Sequence, residues 1–373
     1  MRIVLDVSYI QRKRAGLGRF AAEVVRALKW HGHGNTLVLH GWSHSLDDVE
    51  IRMLGGPDAD YRLRRIPGAV KRFYWMRLSM PGVQRFVGPS DVFHSMDPFL
   101  PPLGSARGVA TVHDLAQRVY PQFFEAGILR QEKHIGPSLH RAAAILVPSL
   151  HTREDLLEAY RINENCVHRI HVPVNPVFTP VARDDDAAVR GALGIRRPYV
   201  LFVGTLEPRK NVERLVGAFE RVARGTSSPT DLVLAGARGW MWAPILSAIR
   251  SSPVRSSILL LSGVRDGQLA ALYRGATVFA YPSLYEGHGS PVAEAMSSGV
   301  PVVTSGTSAL KEIGIGASEL VDPLDTGAIA EAISGLLTDQ RHRARLSSAG
   351  MERARAYSHA AAAEEIRRAY EVH

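Results

Sequence analysis

Two glutamates eight positions apart frame the most chemically loaded stretch of the chain, Pro282-Ser283-Leu284-Tyr285-Glu286-Gly287-His288-Gly289-Ser290-Pro291-Val292-Ala293-Glu294. An apolar run ends at Tyr281, a glycine-rich loop follows, and Pro291 suits the first turn of a helix. Ser290 is the expected N-cap, and Gly299 the expected stop before a strand from Val300. Gly287 and Gly289 allow the backbone to approach a ligand closely, with N–H groups exposed at a helix start. Glu286 in the loop and Glu294 in the first turn are carboxylates suited to gripping vicinal hydroxyls. The plainer reading is a capped loop–helix junction with two solvated acids.

Three further stretches carry chemistry. Gly204-Thr205-Leu206-Glu207-Pro208-Arg209-Lys210-Asn211 follows a buried-strand pattern and sets two adjacent cations at a helix start, with Asn211 as the expected N-cap. Such a start with Arg209 and Lys210 is a cradle for a diphosphate, or, taken alone, a solvated helix end. Gly16-Leu17-Gly18 after the first strand is a short glycine turn that can offer backbone amides to a ligand, or simply a tight turn. His113-Asp114 leaves the end of another strand and can orient a hydroxyl or move a proton; a capping Asp beside a packed His fits as well.

The elements that must position these groups read as alternating short apolar strands and amphipathic helices in both halves, the pattern of parallel α/β layers. Strands are predicted at 3–5, 36–39, 92–94, 109–112 and 144–147, and then at 199–203, 232–235, 258–261, 278–281 and 301–304. The proline-interrupted stretch from His171 to Pro176, followed by a charged helix at 184–193, marks the boundary. The expected domains are 1–172 and 198–355, joined by a linker at 173–197, with a C-terminal helix at 356–373 returning to the first domain.

Composition narrows the classes. A length of 373 residues suits two domains, and 46% apolar with 22% charged residues is that of a soluble enzyme. One cysteine, Cys166, gives no intrachain disulfide, and no apolar run reaches the roughly 20 residues of a membrane span. The opening residues read as a strand rather than a signal peptide, so the expected location is the cytoplasm. The net charge of +9 is spread along an arginine-rich chain with only six lysines. No basic–aromatic groove for nucleic acid stands out, and anionic nucleotides or lipids are the expected partners. Residues 61–86 hold seven basic side chains, no acids, and Phe73, Tyr74, Trp75, Met76, Leu78 and Met80. They read either as an inner-membrane-surface helix or as a helix packed on the first domain.

In their order these motifs resemble family 4 of the retaining glycosyltransferases. The Glu286-to-Glu294 spacing is similar to that family's glutamate–seven–glutamate motif, and the likeness runs on through Leu272-Tyr273-Arg274-Gly275-Ala276 and Val321-Asp322-Pro323-Leu324-Asp325. The resemblance implies the GT-B fold, two facing Rossmann-like domains with parallel sheets and an interdomain cleft. It implies that Glu286 and the amides of Gly287, His288, Gly289 and Ser290 bind the donor sugar, and Glu294 the ribose. Gly204, Arg209 and Lys210 would cradle the departing diphosphate, and Gly16 and Gly18 would close over it. His113 would contact the donor sugar, with Asp114 nearer the acceptor. Neither a metal nor another cofactor is implied; the nucleotide sugar is a co-substrate, and Asp58-Ala59-Asp60 reads as surface. His288 and Ser290 stand where the family commonly has Phe and Leu, a departure that bears on donor selectivity. The expected reaction is transfer of mannose from GDP-mannose to a saccharide or lipid-linked saccharide. UDP-glucose and UDP-N-acetylglucosamine are alternative donors. The rival classes are a phosphorylase or epimerase of the same fold and a non-catalytic nucleotide-sugar-binding scaffold.

Overall fold

The computed structural model describes residues 1–11, 16–32, 34–67, 70, 75, 82–225 and 228–371. The chain divides into two compact units, Met1–Pro173 with Tyr357–His373, and Val174–Ala356. Among the described residues the first unit carries a seven-stranded parallel sheet ordered β3-β2-β1-β4-β5-β6-β7. Its strands are β1 (Arg2–Asp6), β2 (Thr36–Trp42), β3 (Asp60–Arg64), β4 (Val92–Ser95), β5 (Arg107–Thr111), β6 (Ala144–Val147) and β7 (Val167–Arg169). The second unit carries a six-stranded parallel sheet ordered β10-β9-β8-β11-β12-β13. Its strands are β8 (Tyr199–Val203), β9 (Asp231–Ala235), β10 (Ile258–Leu261), β11 (Val278–Tyr281), β12 (Val302–Ser305) and β13 (Glu319–Val321). The central strands are apolar along their whole length because helices cover both faces of a parallel sheet; Val200, Leu201, Phe202, Val278 and Phe279 are fully buried.

Each sheet reverses its strand order once, between β1 and β4 in the first unit and between β8 and β11 in the second. At such a point neighbouring connections leave in opposite directions, and a crevice opens beyond the carboxyl ends of the strands. The motif residues 204–211 and 282–294 follow β8 and β11, the two strands that flank this reversal.

Several expectations are corrected. Gly16 and Gly18 do not form a turn before the first helix; they are its first residues, since α1 spans Gly16–His31. A Cβ at Gly18 would lie 2.5 Å from the carbonyl oxygen of Tyr9, so glycine lets the helix start settle against the chain leaving β1. Residues 174–197 are not a free connector. The helix Asp186–Ala192 is tied into the second unit, where Arg274 donates from Nε (2.6 Å) and Nη2 (2.5 Å) to the two carboxylate oxygens of Asp186. Asp60 lies in β3 and accepts from Arg2 and Arg62. Of the aromatic run at 73–80 only Trp75 is among the described residues; it is buried and stacks on Trp42 at 4.8 Å between ring centres. No helix among the described residues is long and apolar enough to cross a membrane.

The C-terminal helix His359–Glu371 packs on α1 through the buried small residues Ala27, Ala362 and Ala363. His359 pairs with Glu23 at 2.8 Å, and Tyr370 bonds the buried His94 of β4 at 2.7 Å. In the second unit Gly236, just after β9, leaves no room for a side chain, because a Cβ would overlap the carbonyl oxygen of Gly204. Gly236→Ala is therefore expected to lower stability by about 3 kcal/mol, a large loss for one methyl group. Thermal unfolding within about 2 °C of wild type, the shift that roughly 1 kcal/mol or less would give, would contradict that packing.

Candidate active site

The second unit brings Arg209 and Lys210 of 204–211 and Glu286 of 282–294 into one buried cluster, while Glu294 lies in the helix that follows. After β8 the chain turns through the short 3-10 segment Pro208–Lys210, and Asn211 takes a left-handed conformation at φ 59°. Asn211 does not close the next helix by capping. Its amide nitrogen donates to the carbonyls of Pro282 (2.9 Å) and Pro323 (2.7 Å), while its oxygen accepts from Arg214 (2.9 Å). Its side chain thereby clamps the loop after β8 to the loop after β11. The amide of Leu284 adds a second clamp, donating to the carbonyl of Arg209 at 2.9 Å.

Held this way, the two cations meet two carboxylates. Arg209 donates from Nη1 to Glu286 (2.9 Å) and to the Tyr285 carbonyl (2.8 Å), and from Nη2 to Glu207 (2.8 Å). Lys210 Nζ donates to Glu286 (2.6 Å) and to the Tyr281 hydroxyl (2.7 Å), and that hydroxyl donates to Glu286 at 3.0 Å. All five side chains are buried. The backbone of Glu286 is fixed in turn, its N–H donating to Ser308 Oγ at 3.1 Å.

The titration of these groups follows from their surroundings. Burial alone would push the Glu286 carboxyl up, but Arg209 and Lys210 beside it overcome this and hold it at about 2. Lys210 is pushed down by burial and by the neighbouring Arg209, against the pull of Glu286 and Glu207. Burial raises Glu207, and burial with the adjacent Glu286 charge raises Tyr281 well above its ordinary value. Since the folded pKa of Glu286 lies below that of the unfolded chain, its contribution to stability is complete above pH 4.5 and is lost as pH falls toward 2. The difference in melting temperature between wild type and Glu286→Gln is expected to shrink across that window. A difference that stays constant from pH 5 to about 2.5 would contradict the pairing.

Glycines shape the loop between the glutamates. The N-cap of the helix Ser290–Ser297 is Gly289, at φ 89°, and not Ser290, which is the first helical residue. A Cβ at Gly289 would also approach Leu310 Cδ2 at 2.7 Å. Glu294 is buried within that helix, and Tyr273 donates its hydroxyl to Glu294 Oε2 at 2.9 Å. Gly287 is buried and His288 half-buried in the same loop. Sequence reasoning missed Glu207, Tyr281, Tyr273 and Ser308, whose parts depend on strand order rather than on spacing.

In the first unit His113 follows β5 and donates from Nε2 to the Met96 carbonyl at 2.8 Å; Phe20 meets its ring edge-on at 4.6 Å. Burial pushes its pKa down, so the ring is neutral near pH 7. Asp114 uses one carboxylate oxygen to accept from the amide of Ala116 at 3.0 Å, an Asx turn ahead of the helix Ala116–Val119, whose N-cap is Leu115. Near these groups, at the ends of β1 and β4, Asp97 accepts from the Tyr9 hydroxyl, from Ser95 Oγ (2.9 Å) and from the amide of Phe99 (2.8 Å).

Known proteins resemble the chain in sequence and in fold. Residues 186–353 match the family described as Glycosyl transferases group 1, and residues 14–178 match Glycosyltransferase Family 4. The chain is 28% identical over 380 residues to the O-antigen chain mannosyltransferase B of Escherichia coli, across 96% of each protein. Its fold resembles that of the sucrose-phosphate synthase of Thermosynechococcus elongatus, with a TM-score of 0.78 and 22% identity over 99% of this chain and 98% of the other. It also resembles Anabaena HepE in complex with UDP-glucose, with a TM-score of 0.77 and 15% identity over the same shares. Two parallel α/β units, both family matches and a full-length mannosyltransferase relative agree: the chain belongs to the family 4 glycosyltransferases of the GT-B fold and is a transferase.

Proposed function

We propose that the protein transfers mannose from GDP-mannose, with retention at the anomeric carbon, to a saccharide or lipid-linked saccharide. The observation that carries this is the Glu286–Arg209–Lys210 cluster, buried where the second sheet reverses its order. The choice of mannose rests on the full-length likeness to a mannosyltransferase. Arg209 and Lys210 neutralise the diphosphate as it departs, which stabilises charge that develops only in the transition state. Glu286 and the loop amides of 287–290 bind hydroxyls of the donor sugar, and Glu294, steadied by Tyr273, binds the ribose. Gly204 keeps the backbone close to the phosphates. The acceptor hydroxyl bonds to C1 of the sugar on the face from which the diphosphate leaves, and its proton passes to the departing phosphate oxygen. Such a path needs neither an enzymic nucleophile nor a metal. In the first unit Gly16 and Gly18 offer amides to the phosphates, neutral His113 contacts the donor sugar, and Asp114 serves the acceptor side. The reaction belongs in the cytoplasm.

Glu294→Ala is expected to weaken nucleotide binding about tenfold, the effect of one lost charged hydrogen-bonding partner, as read by calorimetry. Unchanged affinity would remove Glu294 from the site. The function itself is tested by incubating the protein with GDP-mannose and short mannose oligosaccharides and following the product by NMR. An α-linked mannose with release of GDP supports the reading. Transfer from UDP-glucose or UDP-N-acetylglucosamine alone moves the donor to the UDP series, and binding without transfer to any acceptor favours a scaffold.

A further inference from the structure

Glu207 has no place among the donor-binding groups, yet it is one of the most deeply enclosed acids in the chain, 2% exposed. Burying a carboxylate is unfavourable unless it is paired, so its position calls for a partner and a reason. The partner is Arg209, whose Nη2 reaches Glu207 Oε1 at 2.8 Å while Nη1 reaches Glu286 Oε2 at 2.9 Å. One guanidinium is thus shared between two carboxylates, and each contact restricts the rotation that would break the other. The enclosure is built by the neighbouring strand. Leu206 donates to the Ala237 carbonyl (2.9 Å), Gly239 donates to the Leu206 carbonyl (3.1 Å), and a Cβ at Gly239 would come within 3.4 Å of Glu207 Cβ. Residues 236–239 lie across Glu207 because β9 is hydrogen-bonded beside β8.

The second consequence is charge. Arg209 and Lys210 are matched by Glu286 and Glu207, so the buried cluster is formally neutral. With Glu286 alone it would carry one positive charge toward any bound diphosphate. A cradle for a leaving group must stabilise the diphosphate as it forms and then let it go, and excess positive charge in a low-dielectric pocket works against release.

We propose that Glu207 is a positioning residue of the transfer reaction: it fixes the Arg209 guanidinium on Glu286, and its charge limits how tightly the nucleoside diphosphate product is held. This rests on the donor-cradle reading of Arg209 and Lys210. The test uses calorimetric titration of GDP and UDP, with steady-state kinetics on the preferred nucleotide sugar. Glu207→Gln keeps a hydrogen-bond acceptor and removes the charge. It is expected to bind the diphosphate about tenfold more tightly, with a steeper loss of affinity on adding salt and a lower kcat. Glu207→Asp keeps the charge but falls short of Arg209, so diphosphate affinity stays within about twofold of wild type while kcat falls about tenfold. In an Arg209→Gln background, Glu207→Gln lowers kcat no further, because its effect runs through the arginine.

A folded Glu207→Gln protein with wild-type diphosphate affinity and salt dependence overturns the proposal, and so does full multiplication of the two kcat losses in the double variant. Should Glu207→Gln fail to fold, Glu207→Asp decides, and wild-type kcat there overturns it. Wild-type protein that binds neither diphosphate overturns the donor-cradle reading and this proposal with it. Wild-type protein that binds one of them normally, with Glu207→Gln unchanged, removes Glu207 alone.

Discussion

Glu286→Gln is expected to lower kcat/KM by two to three orders of magnitude, about the loss seen when one preorganised charge contact is removed from a reacting centre. It is also expected to destabilise the protein by about 3–5 kcal/mol, the range for removing one member of a buried ion pair. Both effects come from one geometry. Glu286 accepts from Arg209, Lys210 and Tyr281 at 2.6–3.0 Å in a buried site. Its removal leaves two buried cations with Glu207 as the remaining carboxylate of the cluster, so the cradle is disordered as well as over-charged. Paired unfolding and kinetic measurements check this. A variant that unfolds like wild type but has lost activity would assign Glu286 to substrate contact alone. A variant with wild-type stability and kinetics would contradict the cluster's role.

Arg209→Ala and Lys210→Ala should each lower kcat by about 10²–10³ while changing KM far less, because neutralising the diphosphate matters most as its charge develops. The two losses should not multiply. Both side chains bond Glu286, so removing either one already loosens the other, and groups that act as a unit are strongly non-additive. Steady-state kinetics on the two single variants and the double variant decide this. Losses that appear only in KM would place the cations in ground-state binding.

The fold was legible where physics writes it into consecutive residues. Central strands of a parallel sheet are covered on both faces, so Tyr199–Val203 and Val278–Tyr281 stand out as unbroken apolar runs. The outer strands β3 and β7 and the short β13 carry polar residues, as in Asp-Tyr-Arg-Leu-Arg at 60–64, and their runs do not announce a strand. In the site, the residue types and their spacing named Arg209, Lys210, Glu286 and Glu294. What spacing could not supply was partnership. Glu207 meets Arg209 inside an enclosure that β9 builds, and Tyr273 meets Glu294 from a helix before β11. Both contacts depend on the order of strands in the sheet, which no local pattern encodes. Ser290 shows the local limit. A serine before proline reads as a cap, but Gly289 can take the left-handed conformation that the turn requires, which shifts the helix start by one residue.

The central claim is that the second unit holds a working nucleotide-sugar site, and a thermal-shift panel of GDP, UDP, ADP and their sugar conjugates tests it most directly, without metal and then with magnesium. Stabilisation by GDP and GDP-mannose above the others, unchanged by magnesium, is the result the proposed donor requires. No shift with any nucleotide at millimolar concentration, well above the Kd of about 1–100 µM expected of such a site, would contradict the claim and leave the buried cluster a structural device.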